Sequence, residues 1–263
     1  MSNSIDTRGV LDVADQGRVR LLTLTREEAL NAYNDELYDA VRDALDDAAG
    51  RSDIAAVVIT GRGRGFSAGT DLGELADPPQ YDDGQPHGFP SFIATVEAFP
   101  KPLIAAVNGI AVGIGVTLLP HCDVVLVGDS ARLRAPFVSL GVTAEAGSTL
   151  LLPALIGWQR TAELIYTSRW IDAATAREWG LASRQCSDEQ LVPEALALAG
   201  EMAKMPVASL VATKKLLLEA RLEAVRAARE RENEAFAKLL GGPANREALR
   251  AFRERREADF SDL

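Results

Sequence analysis

This sequence predicts an α/β body followed by a helical C-terminal region. Three observations carry that reading. Short apolar runs, Ala55 to Thr60 (AAVVIT), Leu103 to Val107 (LIAAV) and Asp123 to Val127 (DVVLV), have the length and β-branched content of strands buried on both faces. Segments with apolar residues at helical spacing alternate with these runs up to about residue 190. Beyond that point only helical patterns follow, which places the mixed layers first and a helical extension after them.

Taken in order, Val19 to Thr25 (VRLLTLT) alternates and is β-rich, the mark of a strand. Asn34 to Ala49 carries Leu37, Tyr38, Val41 and Leu45 on one helical face, with Asn34 or Asp35 as N-cap. The strand Ala55 to Thr60 runs into a Gly61 to Gly65 loop (GRGRG). Asp77 to Pro90 holds four of the twelve prolines with Gly84 and Gly88, the composition of an irregular insert. After the strand Leu103 to Val107, Val112 to Leu119 reads as a short helix stopped near Pro120. Helices are expected over 161–167, 172–179 and 193–204, then in one long amphipathic stretch over 208–240. That stretch is broken at Gly241-Gly242-Pro243, and a last helix follows over 246–257.

At 263 residues the chain is long enough to bury a core without covalent staples. Hydrophobic residues make up 47% and charged residues 25%, which excludes wholesale disorder. No uninterrupted apolar stretch approaches the ~18 residues of a membrane span, and the first twelve residues contain no signal-like apolar segment. Two cysteines, Cys122 and Cys186, give no disulfide framework, so a reducing cytoplasm is the expected compartment. The net charge of −10 argues against nucleic acid as a partner. It is unevenly spread: residues 201–263 carry 13 Lys+Arg against 11 Asp+Glu, and residues 1–200 carry 15 against 27. The tail is either a solvated helical face or a source of cations for an anionic ligand.

Several motifs fail on chemistry. Gly65 to Gly69 (GFSAG) fits G-x-S-x-G, but a nucleophilic serine needs a strand leading directly into it and a histidine base downstream. Five loop residues separate the strand from Ser67, and no histidine follows His121. Gly109, Gly113 and Gly115 do not match G-x-G-x-x-G, no G-K-[ST] is present, and two isolated histidines make no metal cluster. Two glycine-containing turns that follow buried strands remain, AAVVITGRGRGFSAGTDL and LIAAVNGIAVGIGVTLL. Either they are tight strand-to-helix turns, or they aim two backbone N–H groups at one point and form an oxyanion hole.

The same segments resemble the crotonase (enoyl-CoA hydratase/isomerase) superfamily. The likeness is carried by Glu28 to Asn34 (EALNAYN), Phe66 to Leu72 (FSAGTDL), Lys101 to Asn108-Gly109 (KPLIAAVNG) with Ala111-Val112-Gly113, Ala135-Pro136-Phe137, Leu140-Gly141, Asp172 to Ala176 and Gly180-Leu181-Ala182. It implies a crotonase-like spiral of repeated ββα units over residues 1–200 and a helical oligomerisation region over 201–263. A homotrimer or dimer of trimers is the implied assembly, and an acyl-CoA the implied substrate and partner. The implied chemistry is stabilisation of a thioester enolate, with the N–H groups of Thr70 and Ile114 as oxyanion donors. Ala68, Gly69, Thr70, Asp71, Leu72, Gly113, Phe137 and Leu140 would line the substrate, with Ala29 near its nucleotide end. No cofactor is implied, since coenzyme A is part of the substrate.

Two departures narrow the chemistry. Family hydratases use two glutamates, and the corresponding positions here are Thr117 and Phe137. The segment Leu140 to Ser148 (LGVTAEAGS) instead resembles that of the Δ3,Δ2-enoyl-CoA isomerases, whose single glutamate corresponds to Glu145. Alone, Glu145 would read as a loop or capping carboxylate; the resemblance makes it the acid/base. The expected activity is therefore a 3-enoyl-CoA to trans-2-enoyl-CoA isomerase of fatty acid metabolism. A single-glutamate hydratase or other acyl-CoA lyase, or an acyl-CoA binder without turnover, are the alternatives.

Overall fold

The computed structural model describes residues 7–76 and 79–263. Asp77 and Pro78 of the expected insert, and residues 1–6 of the N-terminal stretch, lie outside the described residues. The architecture is a mixed α/β spiral. Strands β1 (Leu11–Gln16), β2 (Val19–Leu24), β3 (Ala56–Gly61), β5 (Leu103–Val107), β7 (Val124–Gly128) and β10 (Arg184–Cys186) form one sheet in the order β1-β2-β3-β5-β7-β10. A second sheet is built from β4 (Gly65–Ser67), β6 (Ile110–Val112), β8 (Arg132–Arg134) and β9 (Ile171–Asp172). Successive strands alternate between sheets: β3, β5 and β7 enter the large one, and β4, β6 and β8 the small one. A helix then follows each pair: α2 (Leu72–Ala76), α4 (Ile114–Thr117) and α5 (Ser148–Ile156). Three ββα turns therefore stack side by side, and their strand-to-helix corners share one edge.

The central strands are apolar throughout because both faces of the large sheet are covered. Val57, Ile59, Leu103, Ala105 and Val107 pack toward Leu37, Val41 and Leu45 of α1 (Asp35–Gly50) and Phe92 and Ile93 of α3 (Gly88–Ala98). The alternate residues Val58, Ile104, Ala106 and Leu126 pack against Leu191, Ala195 and Ala199 of α8 (Asp188–Ala203). The expected N-cap is in place, since the Asn34 side chain accepts from Leu37 N–H at 3.1 Å. Helices α6 (Trp158–Thr167), α7 (Ala173–Trp179), α9 (Val207–Glu219), α10 (Leu222–Leu239) and α11 (Pro243–Glu254) complete the chain. No single helix among the described residues is long and apolar enough to cross a membrane.

Several elements differ from the sequence expectation. The stretch over 112–119 is not one helix: Val112 ends β6, and Gly113, at φ +55, turns the chain into the four-residue α4. The long helix over 208–240 divides at Ala220-Arg221, so that α10 turns back over α5. Helix α3 starts inside the proline-rich stretch, with Pro90 in its first turn, where no N–H is required. Helix α8 begins at Asp188, one turn before its expected start, carries Pro193 in its interior and runs through residue 200.

Candidate active site

The shared edge of the three ββα corners opens into a cavity of about 960 Å³. Its wall includes Ala68, Gly69, Thr70 and Leu72 from the first corner, Gly113 and Ile114 from the second, and Pro136, Phe137, Leu140, Val142 and Glu145 from the third. The first two corners touch. A Cβ added to Gly69 would meet the Val112 carbonyl oxygen at 3.1 Å, and one added to Gly113 would meet the Gly69 Cα at 3.7 Å. Glycine suits both positions because their backbones lie at positive φ, +99 at Gly69 and +55 at Gly113, and at Gly69 a side chain would also be tight against that carbonyl.

Thr70 and Ile114 stand on the cavity wall at the first and second corners. Thr70 forms a parallel bridge with Tyr33, in which Tyr33 N–H donates to Gly69 O and Asp71 N–H donates to Tyr33 O, both at 2.7 Å. The residues flanking Thr70 take both bonds, so the Thr70 N–H projects to the opposite side. Its hydroxyl is paired with the fully buried Tyr38 hydroxyl at 2.9 Å, which fixes the residue's orientation. Ile114 is the first residue of α4, where an N–H has no acceptor within its own helix. Among the described residues neither N–H has a backbone acceptor.

Glu145 is a carboxylate on the third corner of this cavity wall, half-buried beside Phe137, Leu140 and Val142; the other carboxylate of the lining, Glu257, comes from the C-terminal segment. Burial pushes its pKa up to about 8, and the negative charge of Glu232 adds to the rise. Thr117 and Phe137, the positions at which the resemblance implies hydratase glutamates, are both buried, and neither carries a carboxylate. A base with a raised pKa, beside two unpaired N–H donors, can take a proton from carbon next to a carbonyl whose oxygen those donors hold.

Of the residues expected from sequence, Ala29 and Asp71 stand outside the cavity lining. Leu30 takes the place next to Ala29, and Asp71 is held by Arg26 at 3.1 Å while its other carboxylate oxygen accepts from Gly73 N–H at 3.0 Å. Ser67 is fully buried and accepts from Gly69 N–H at 3.1 Å, and neither histidine contacts it. His87 lies between Asp39 and Asp83, and His121 contacts the Ala146 carbonyl. The cavity also has walls that sequence reasoning missed: Phe89 of α3, Phe236 of α10, Phe252 of α11 and the C-terminal Phe260. The first three lie on helix faces, but no local pattern tells a face that covers a ligand from one that covers core. Arg256, a tail cation on the cavity wall, is engaged by Glu247 and Glu254, both at 2.6 Å.

Comparison with known proteins finds relatives along nearly the whole chain. The enoyl-CoA hydratase/isomerase family profile matches residues 14–263. The 2,3-dehydroadipyl-CoA hydratase of Escherichia coli K12 is 36% identical over 253 residues, covering 95% of this chain and 98% of that protein. The 1,2-epoxyphenylacetyl-CoA isomerase of the same organism is 33% identical over 258 residues, covering 96% and 98%. A solved enoyl-CoA hydratase/isomerase from Pseudoalteromonas atlantica T6c superposes with a TM-score of 0.92 at 37% identity, over 96% of this chain and all of that one.

Proposed function

The chain belongs to the enoyl-CoA hydratase/isomerase family, and from that premise we propose that it is an acyl-CoA isomerase converting a 3-enoyl-CoA to a trans-2-enoyl-CoA. The observation that carries the reading is Glu145, set beside Phe137, Leu140 and Val142 on the same cavity wall as Thr70 and Ile114, while Thr117 and Phe137 stand where the resemblance puts the hydratase pair. The Thr70 and Ile114 N–H groups hold the thioester oxygen. Glu145 takes a proton from C2, and the C2–H electron pair moves into the C1–C2 bond as the oxygen becomes an enolate. The enolate then collapses, the double bond moves from C3–C4 to C2–C3, and the proton passes from Glu145 to C4. One carboxylate serves both transfers, whereas adding water calls for a second group to orient it. The reaction needs no metal or redox cofactor, because the polarised thioester is the electron sink.

Absorbance in the conjugated enoyl-thioester band tests this. With a 3-enoyl-CoA the band grows under isomerisation. With a 2-enoyl-CoA it falls under hydration, the activity named for the E. coli relative above. Growth with the first substrate is the expected result. Loss with the second and no growth with the first would make the protein a single-glutamate hydratase, and no change with either would make it a binder.

A further inference from the structure

The corner that carries Glu145 has an unusual backbone. Ala146, at φ +62, and Gly147, at φ +71, follow it directly, and α5 begins one residue later. A non-glycine residue in the left-handed region persists only where its surroundings over-determine it. Here the surroundings include a second glutamate. Glu232 comes from α10, nearly ninety residues on in sequence, and is only 4% exposed. Its carboxylate accepts from Gly147 N–H at 2.6 Å, Thr149 N–H at 2.8 Å and the Thr149 hydroxyl at 2.5 Å. It thereby caps the free N–H groups of α5 and ties down the peptide two residues past Glu145. Helix α10 seats directly on this corner, since a Cβ on Gly147 would meet Val225 Cγ1 at 2.9 Å. On the other side, His121 Nε2 lies 2.8 Å from the Ala146 carbonyl, a contact in which the ring nitrogen is the donor.

We propose that Glu232 is a positioning residue for Glu145: it locks the Ala146-Gly147 corner and sets a fixed negative charge behind the base. The proposal rests on the reading of Glu145 as the proton carrier. The titratable groups that face Glu145 are Tyr38 from α1 and Glu232 from α10, with the buried His121 at the adjacent carbonyl. Of these, Glu232 is the one whose negative charge raises the Glu145 carboxyl, the direction that keeps Glu145 a strong base.

Two variants separate the two parts of this role. Glu232→Gln keeps the shape, removes the charge and turns an N–H₂ group toward one of the donors. Glu232→Asp keeps the charge on a side chain too short to reach both N–H groups. The readouts are kcat and KM with a 3-enoyl-CoA, and titration of the Glu145 carboxyl by ¹³C NMR, assigned by its loss in Glu145→Gln. In Glu232→Gln, Glu145 should titrate roughly half a pH unit or more lower, with kcat reduced ~10-fold or more and KM unchanged. In Glu232→Asp the titration should return toward that of the parent protein while kcat stays low. Unchanged Glu145 titration and unchanged kcat in Glu232→Gln would overturn the proposal. The NMR titration reads Glu145 whether or not a 3-enoyl-CoA is turned over, so a silent assay sinks the proposed function and leaves this inference separately decided. Should Glu232→Gln fail to fold, Thr149→Val removes only the hydroxyl contact; it should lower kcat about threefold with KM unchanged, and parent-level kcat would overturn the proposal.

Discussion

At the scale of single residues the proposed site depends on backbone at two positions and on a side chain at one. The Thr70 and Ile114 donors are N–H groups, so side-chain replacement should be mild where removal of the hydrogen is severe. Thr70→Ala loses only the bond to the Tyr38 hydroxyl and should change kcat/KM less than ~10-fold. Ile114→Pro deletes a donor and should cost ~10²–10³-fold in kcat, measurable in the same absorbance assay. The Glu145 pKa of about 8 gives a pH dependence of definite sign. The base works as the carboxylate, so kcat/KM should rise with pH and level off above about 8. Stability runs the other way. A carboxyl whose folded pKa lies above its unfolded value of 4.5 binds more protons when folded, so its contribution is present below 4.5 and lost as pH rises through about 8. His121 has the opposite linkage. Burial lowers it from 6.5 to about 4, so its contribution is present above 6.5 and lost as pH falls through about 4. Thermal melts across pH should show Glu145→Gln gaining most over the parent near and above pH 8 and nothing near pH 4. A melting difference independent of pH would contradict the raised carboxyl.

At the scale of elements, α11 closes the cavity and is held by few polar contacts. The Asn245 side chain donates to the Leu140 carbonyl at 2.8 Å and accepts from Gly241 N–H at 2.9 Å, so it joins α11 to the strand-end segment that leads to Glu145. Asn245→Ala leaves both partners unsatisfied and should destabilise by ~1–3 kcal/mol in urea unfolding. Because Phe252 and Ala251 of the same helix face the cavity, KM for the acyl-CoA should rise as well. An unchanged KM would show that α11 is no part of the acyl wall. The elements legible in the sequence were those with a period to read. Strands β3, β5 and β7 are continuous apolar runs, and α1 carries both its stripe and its cap. Strands β4, β6 and β8 are three residues each, too short for alternation to register. Strand β1 (LDVADQ) is a polar edge whose pairing with β2 comes from the hairpin rather than from burial. For the site, the Phe66 to Leu72 and Asn108 to Gly113 segments were visible because a tight corner demands glycine. Glu232, His121 and Phe252 were not visible, because each reaches the site from a distant part of the chain through tertiary packing alone.

At the scale of the whole molecule, one chain supplies the spiral, every residue of the proposed site and a helical cover, yet it leaves apolar surface uncovered. Leu216 and Leu217 of α9 are each about two-thirds exposed, as are Trp158 and Tyr166 of α6 and Phe252 of α11. Large apolar side chains in such number are usual where copies of a chain meet. Closed three-fold symmetry, the assembly that the family resemblance implies, would bury α9 and its neighbours. Sedimentation at micromolar protein should find a trimer or a multiple of it, and Leu216→Asp with Leu217→Asp should shift the distribution toward monomer. A parent protein that sediments only as a 28.2 kDa species would contradict this assembly.

The central claim is that one carboxylate, Glu145, carries the proton beside an oxyanion hole made of backbone. Its most direct test is Glu145→Gln, assayed with a 3-enoyl-CoA together with measured affinity for a saturated acyl-CoA. The predicted result is a loss of at least ~10²–10⁴-fold in isomerisation with affinity nearly unchanged. Parent-level turnover in Glu145→Gln would leave no catalytic carboxylate at positions 117, 137 or 145 and would contradict the account.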